Sequence, residues 1–135
     1  MNYPPYIGTA SYYTCAKGSG ACGTCNSNNT NQVCYPDLNG HPPNYAASCG
    51  PIPVHSCGDV LYVANYCNCA DPIGASLTVV DHGPGAACTV DVPQCDLCTC
   101  SGGNKYYRYM DLPQNTFTAL GGNLTQGLII VGWSS

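Results

Sequence analysis

Apolar and polar positions along this chain alternate in short runs broken by turn residues, the pattern of strands rather than of helices. "GTASYYT" (8–14), rich in Thr and Tyr, predicts a first strand. "DVLYVAN" (59–65), β-branched and aromatic, predicts a second. "ASLTVVD" (75–81) alternates so that Leu77 and Val79 share one face. "GLIIVGW" (127–133) reads as a buried closing strand, with Trp133 expected in the core. Helical spacing occurs in "DLPQNTFTALGG" (111–122). There Pro113 falls in the first turn, where its missing N–H costs nothing. Phe117 and Leu120 share a face at i, i+3, and Gly121 and Gly122 supply a stop. Residues 15–57, full of Gly, Ser, Asn, Pro and Cys, read mostly as loop. A loop of that length suits a compact domain only if it is stapled. Residues 86–105 read as a second, smaller excursion held by its own cysteines. Several short strands, one short helix and many turns point to a small β-barrel. No repeat or internal boundary divides the 135 residues, so 1–135 is read as a single domain.

Composition narrows the partners. Only 7% of the residues are charged, and three Lys and Arg against seven acidic residues give a net charge of −4. No basic surface exists to neutralise a phosphate backbone, which argues against nucleic acid. No apolar run approaches the roughly 18 residues a membrane span needs. Residues 1–10 lack the basic end and apolar stretch of a secretion signal, so Met1 is expected to begin a recombinant mature form. Asn28-Asn29-Thr30 and Asn123-Leu124-Thr125 are glycosylation sequons, relevant in a eukaryotic host.

Twelve cysteines, an even number, point to a disulfide framework and an oxidising, secreted setting. All are assigned to disulfides: Cys15, Cys22, Cys25, Cys34, Cys49, Cys57, Cys67, Cys69, Cys88, Cys95, Cys98 and Cys100, with connectivity open. The rival reading is zinc. Cys22-x2-Cys25 and Cys95-x2-Cys98-x-Cys100 have ligand-like spacing, and Cys67-x-Cys69 adds a pair. The Lys-rich flanks of a cytosolic zinc protein are missing, so neither a metal nor another cofactor is expected. A reactive thiol needs a basic neighbourhood, which this chain lacks.

Three stretches taken in order carry a resemblance: "GTASYYT", then "LTVVDHGPG" (77–85), then "DLPQNTFTAL" followed by "GLIIVGW". Together they resemble the double-psi β-barrel of expansins and rare lipoprotein A. "GSGACGTC" (18–25) is similar to the Gly-Ala-Cys-Gly signature of expansins and loosenins. The matching pieces span positions 8 to 133. The resemblance implies a mainly β fold: a six-stranded double-psi β-barrel with one or two short helices and disulfide-stapled loops. It implies a secreted monomer that binds cell-wall polysaccharide in a surface groove and loosens it without hydrolysis. The family's second, carbohydrate-binding domain has no counterpart here. The low charge favours cellulose or chitin over acidic pectin, and peptidoglycan is the third option. Two alternatives stand beside it. One is a glycan-cleaving enzyme, like a family 45 endoglucanase or a lytic transglycosylase, using Asp111 and Asp81. The other is a barwin-like or inhibitor-like binding module.

The resemblance also implies roles. Asp81 and Asp111 would meet at the groove, where a carboxyl group can protonate a glycosidic oxygen and a second can activate water. Ser11 would sit beside the acid. Tyr12 and Tyr13 point to opposite sides of a strand, so at most one faces the groove, where its ring would stack on a sugar. His82 is a rim contact, and His41 and His55 fall in Pro-rich loop. Plainer readings remain open: Asp111 could cap the helix and Asp81 could organise a turn. The sequence departs from the family at "YAASCG" (45–50), where glycan-cleaving rare lipoprotein A proteins carry Ala-Ala-His. It departs again at Gly83, where expansins carry Tyr, and in the longer 86–105 segment, whose Asp91 and Asp96 could supply a second acid.

Overall fold

The computed structural model describes residues 6–36, 55–67, 71–83 and 109–134. They form a mainly β structure, a closed barrel of six strands with one short helix. The elements are β1 (Tyr6–Tyr13), β2 (Gln32–Pro36), β3 (Val60–Asn65), β4 (Ile73–Gly83), β5 (Tyr109–Pro113), α1 (Gln114–Ala119) and β6 (Ile129–Ser134). Around the barrel the order is β1-β5-β2-β4-β3-β6. β1 pairs with β5, and β2 with β4, in parallel; the remaining neighbours are antiparallel. Closure leaves no open sheet edge.

The core follows the two-residue period of each strand. Val33 and Tyr35, Leu61 and Val63, Leu77 and Val79, Met110 and Leu112, and Val131 and Trp133 are buried and packed together. Phe117 in α1 and Leu120 at its C-cap pack into the same core, sharing a face as their spacing predicts.

Two elements depart from the sequence reading. β2 lies inside the stretch read as loop. Its five residues bury Val33 and Tyr35 on one side and present Cys34 on the other, a signal too short to stand out among Asn, Pro and Cys. The helix begins at Gln114, not at residue 111. Asp111, Leu112 and Pro113 are strand, because β5 pairs with β1 and β2 and buries Met110 and Leu112. Long-range pairing outweighs local helix signals here. Pro113 is the extended N-cap residue (φ −53, ψ 146), and α1 has no side-chain cap. Asp111 is therefore not a helix cap. The other end matches expectation. Gly121 (φ 82) donates to the Thr118 carbonyl and Gly122 to that of Phe117, a Schellman stop.

Disulfides join Cys15 to Cys25 and Cys22 to Cys57, and Cys67 is also disulfide-bonded. Cys34 corrects the assignment of all twelve cysteines to disulfides: it is a buried free thiol. Its surroundings are Tyr13, Asp81 and Asp111. Cys49, Cys69, Cys88, Cys95, Cys98 and Cys100 lie outside the described residues, as do His41, the 45–50 stretch and the 86–105 excursion with Asp91 and Asp96. Among the described residues no helix is long and apolar enough to cross a membrane.

Candidate functional site

Strand register assembles the site. Ser11 on β1 lies opposite Asp111 on β5, Asp111 opposite Cys34 on β2, and Cys34 opposite Asp81 on β4. Residues directly opposite one another share a sheet face. Their strand neighbours Ala10, Met110, Leu112, Val33 and Tyr35 belong to the core, so Ser11, Asp111, Cys34 and Asp81 form a row on the other face.

A bulge in β4 places the last member of that row. Val33 pairs with Val79, but Cys34 pairs with Asp81, so Val80 is an extra residue. In an unbroken register Val80 would oppose Cys34, and Asp81 would oppose Tyr35 and point into the core. A one-residue shift flips every side chain that follows, and the bulge uses this to bring a carboxylate outward.

The two acids are held differently. Ser11 Oγ donates a hydrogen bond to Asp111 Oδ1, and this is the one hydrogen bond made by the Asp111 carboxylate among the described residues. Asp81 is tied on both oxygens. Its Oδ1 accepts from the backbone N–H of Ala21 at 2.7 Å and of His82 at 2.9 Å. Its Oδ2 accepts from the Tyr13 hydroxyl at 3.4 Å. The Tyr13 hydroxyl also lies 3.1 Å from Cys25 Sγ. Asp81 thus joins the barrel to the 18–25 loop. That loop comes so close at Gly20 (φ +84) that a Cβ there would lie 3.1 Å from Asp81 Cγ. Asp81 does organise backbone, in this distant loop.

Burial and charge keep the middle of the row protonated. Burial pushes the Cys34 thiol up to about 12, and the charges of Asp81 and Asp111 add to the shift, against a smaller opposing effect of its hydrogen bond with Tyr13. Burial likewise raises the Tyr13 phenol, helped by Cys34 and Asp81. At neutral pH Cys34 is a thiol rather than a nucleophilic thiolate, and Tyr13 is a hydrogen-bond donor.

Of the residues singled out from sequence, Ser11, Tyr13, Asp81 and Asp111 come together. Tyr12 does not. Its ring packs on Phe117 with centroids 5.1 Å apart, and its hydroxyl donates to the Leu124 carbonyl. His82 is also turned elsewhere: its Nε2 meets the His55 carbonyl oxygen at 2.8 Å. His55 pairs with Asp59 at 3.3 Å and stacks edge-on against Tyr35. Cys34 is the member that sequence reasoning missed. Its one signal is the alternation of "QVCYP", which separates Cys34 from Val33 and Tyr35.

An open cavity of about 480 Å³ lies nearby, lined by Cys22, Cys57, Thr24, Asn31, Gln32 and Thr78 among others, and neither acid lines it. No protein-family model matches this chain, and none of the curated proteins compared with it does.

Proposed function

We propose that this is a secreted, single-domain wall-loosening protein of the expansin or loosenin kind. In this reading a neutral cell-wall glycan, cellulose or chitin, lies across the row formed by Ser11, Asp111, Cys34 and Asp81, without cofactor and without cleavage of its bonds. The observation that carries the reading is the Ser11–Asp111 hydrogen bond between neighbouring strands, the serine-beside-acid arrangement that the opening motif implies. The closed barrel with its two parallel strand pairs supports the double-psi expectation. The disulfides support an oxidising compartment.

The contrast between the acids favours a non-hydrolytic role. Hydrolysis with inversion needs one carboxyl to protonate the leaving oxygen and a second to activate water. Asp81 is occupied by three donors and acts as a structural anchor. Asp111 keeps one oxygen without a hydrogen-bond partner among the described residues, so one acid is left to bind and polarise a sugar. A single polarising carboxylate can compete for the hydrogen bonds that hold glycan chains together.

Creep of cellulose or chitin strips under constant load tests the proposal. Wild-type protein should accelerate extension, and Asp111→Asn should not. No effect of the wild type on either material would refute the wall-loosening reading.

A further inference from the structure

Outside that row, two sulfurs and a ring nitrogen converge. The Sγ atoms of Cys22 and Cys57 and a ring nitrogen of His82 all lie within 4.8 Å of one another. They come from three parts of the chain: the loop after β1, the turn before β3 and the end of β4. Backbone bonds fix the frame. The Cys22 N–H donates to the Val80 carbonyl at 3.3 Å, and the Gly58 N–H donates to that of Val79 at 2.9 Å. The Ser56 N–H donates to Asp59 Oδ2 at 2.9 Å, closing the turn that carries Cys57.

One nitrogen of the His82 ring is held by backbone. Its Nε2 lies 2.8 Å from the His55 carbonyl oxygen, which can only accept. In the neutral ring Nε2 therefore carries the hydrogen and Nδ1 keeps its lone pair. A cation taken on Nδ1 would find the ring fixed by a carbonyl on the other nitrogen, as metal-ligating histidines commonly are. Cys22 and Cys57 also line the 480 Å³ cavity, and Cys57 is exposed. A reductant can reach the bond, and a fourth ligand has space.

We infer that the Cys22–Cys57 disulfide closes a latent site for a thiophilic divalent cation of the zinc class, opened by reduction. A dithiol breaks the S–S bond by exchange. It becomes a disulfide itself, giving two electrons and two protons that leave Cys22 and Cys57 as thiols. The cation then displaces both thiol protons, and His82 adds a neutral third ligand. Thiolate–zinc bonds of about 2.3 Å in a tetrahedral site put the sulfurs roughly 3.8 Å apart, a separation that side-chain rotation can supply with the Cys22 and Cys57 Cα atoms 5.6 Å apart. Two thiolates, one imidazole and an open position make a site of catalytic rather than structural type. The Cys22-x2-Cys25 spacing, which suggested zinc in the sequence, is not the site. Cys25 is buried and bonded to Cys15.

Cobalt(II) is the probe, added to full-length protein reduced with a phosphine, which does not chelate as a dithiol would. Reduced wild type should show a sulfur-to-cobalt charge-transfer band and tetrahedral visible bands saturating at one equivalent. Oxidised wild type should show neither. His82→Ala, which keeps every cysteine, should weaken cobalt binding at least about tenfold. Cys22→Ser/Cys57→Ser should abolish the band. Equal bands in either variant would assign the metal to other cysteines and overturn the inference, as would no band in reduced wild type. Circular dichroism runs alongside: a reduced protein that loses its barrel and does not recover it with cobalt also overturns it.

Discussion

Ser11 and Asp111 are 100 residues apart in sequence, yet they face each other across the parallel β1–β5 pair with the serine hydroxyl donating to the carboxylate. The contact exists because β5 inserts between β1 and β2. The bond engages Asp111 Oδ1, and Oδ2 has no hydrogen-bond partner among the described residues; in the proposed function Oδ2 meets the glycan. Ser11→Ala should therefore reduce glycan affinity about tenfold, or ~1.4 kcal/mol, while changing stability by no more than about 1 kcal/mol. Ser11→Thr should restore most of the loss. Binding isotherms on insoluble glycan, with thermal midpoints alongside, check both.

Asp81 carries more of the fold than Asp111. Asp81→Ala leaves the Ala21 and His82 N–H groups and the Tyr13 hydroxyl without their acceptor. Unfolding in denaturant should show a loss of about 2–3 kcal/mol. Asp111→Asn should show less than about 1 kcal/mol, since an amide oxygen still accepts from Ser11.

Gly20 reports on the same junction. Its φ of +84 disfavours any side chain, and a Cβ would crowd Asp81 Cγ, Cys25 Cβ and the Val80 carbonyl oxygen, each at 3.1 Å. Gly20→Ala should cost about 1–3 kcal/mol. The same denaturant measurement should place it close to Asp81→Ala. A neutral effect would mean that the 18–25 loop is not anchored through Asp81.

The buried thiol makes stability depend on alkaline pH. The folded state raises Cys34 from 9.0 to about 12, and it raises Tyr13 as well. A group whose pKa is raised on folding stabilises the protein fully below its unfolded value. That stability is lost as pH climbs through the folded one. Stability should accordingly decline from about pH 9 toward pH 12. Cys34→Ala should flatten part of this decline, with Tyr13 supplying the remainder. In native protein at pH 8, iodoacetamide should label Cys34 more than about a hundredfold slower than an ordinary cysteine.

What was legible in the sequence followed from local pattern. The alternation of "ASLTVVD" placed Leu77 and Val79 in the core, and the Gly121-Gly122 pair marked the helix end. The pairing of Ser11 with Asp111 was legible only through the resemblance, because no local rule joins residues 100 apart. Asp111 misled as a helix start because Asp-x-Pro before an i, i+3 apolar pair carries the local signals of a cap. Cross-strand pairing on both sides of β5 overrides them. Cys34 was hidden for a different reason. In a chain with twelve cysteines each one reads as half of a disulfide, and only register reveals that this one stands between two carboxylates. The bulge at Val80 was equally hidden, since an extra residue alters the face of Asp81 without altering the apolar pattern before it.

The most direct measurement is incubation of wild type and Asp111→Asn with insoluble cellulose and chitin, followed by mass spectrometry of the supernatant and assay of protein in the pellet. Glycan loosening without cleavage predicts wild-type protein in the pellet, no soluble oligosaccharides, and markedly weaker pelleting of the folded Asp111→Asn variant. Soluble oligosaccharides released by wild type and not by the variant would contradict it and make Asp111 the acid of a glycan-cleaving enzyme. Equal pelleting of the two proteins would remove Asp111 from the binding site.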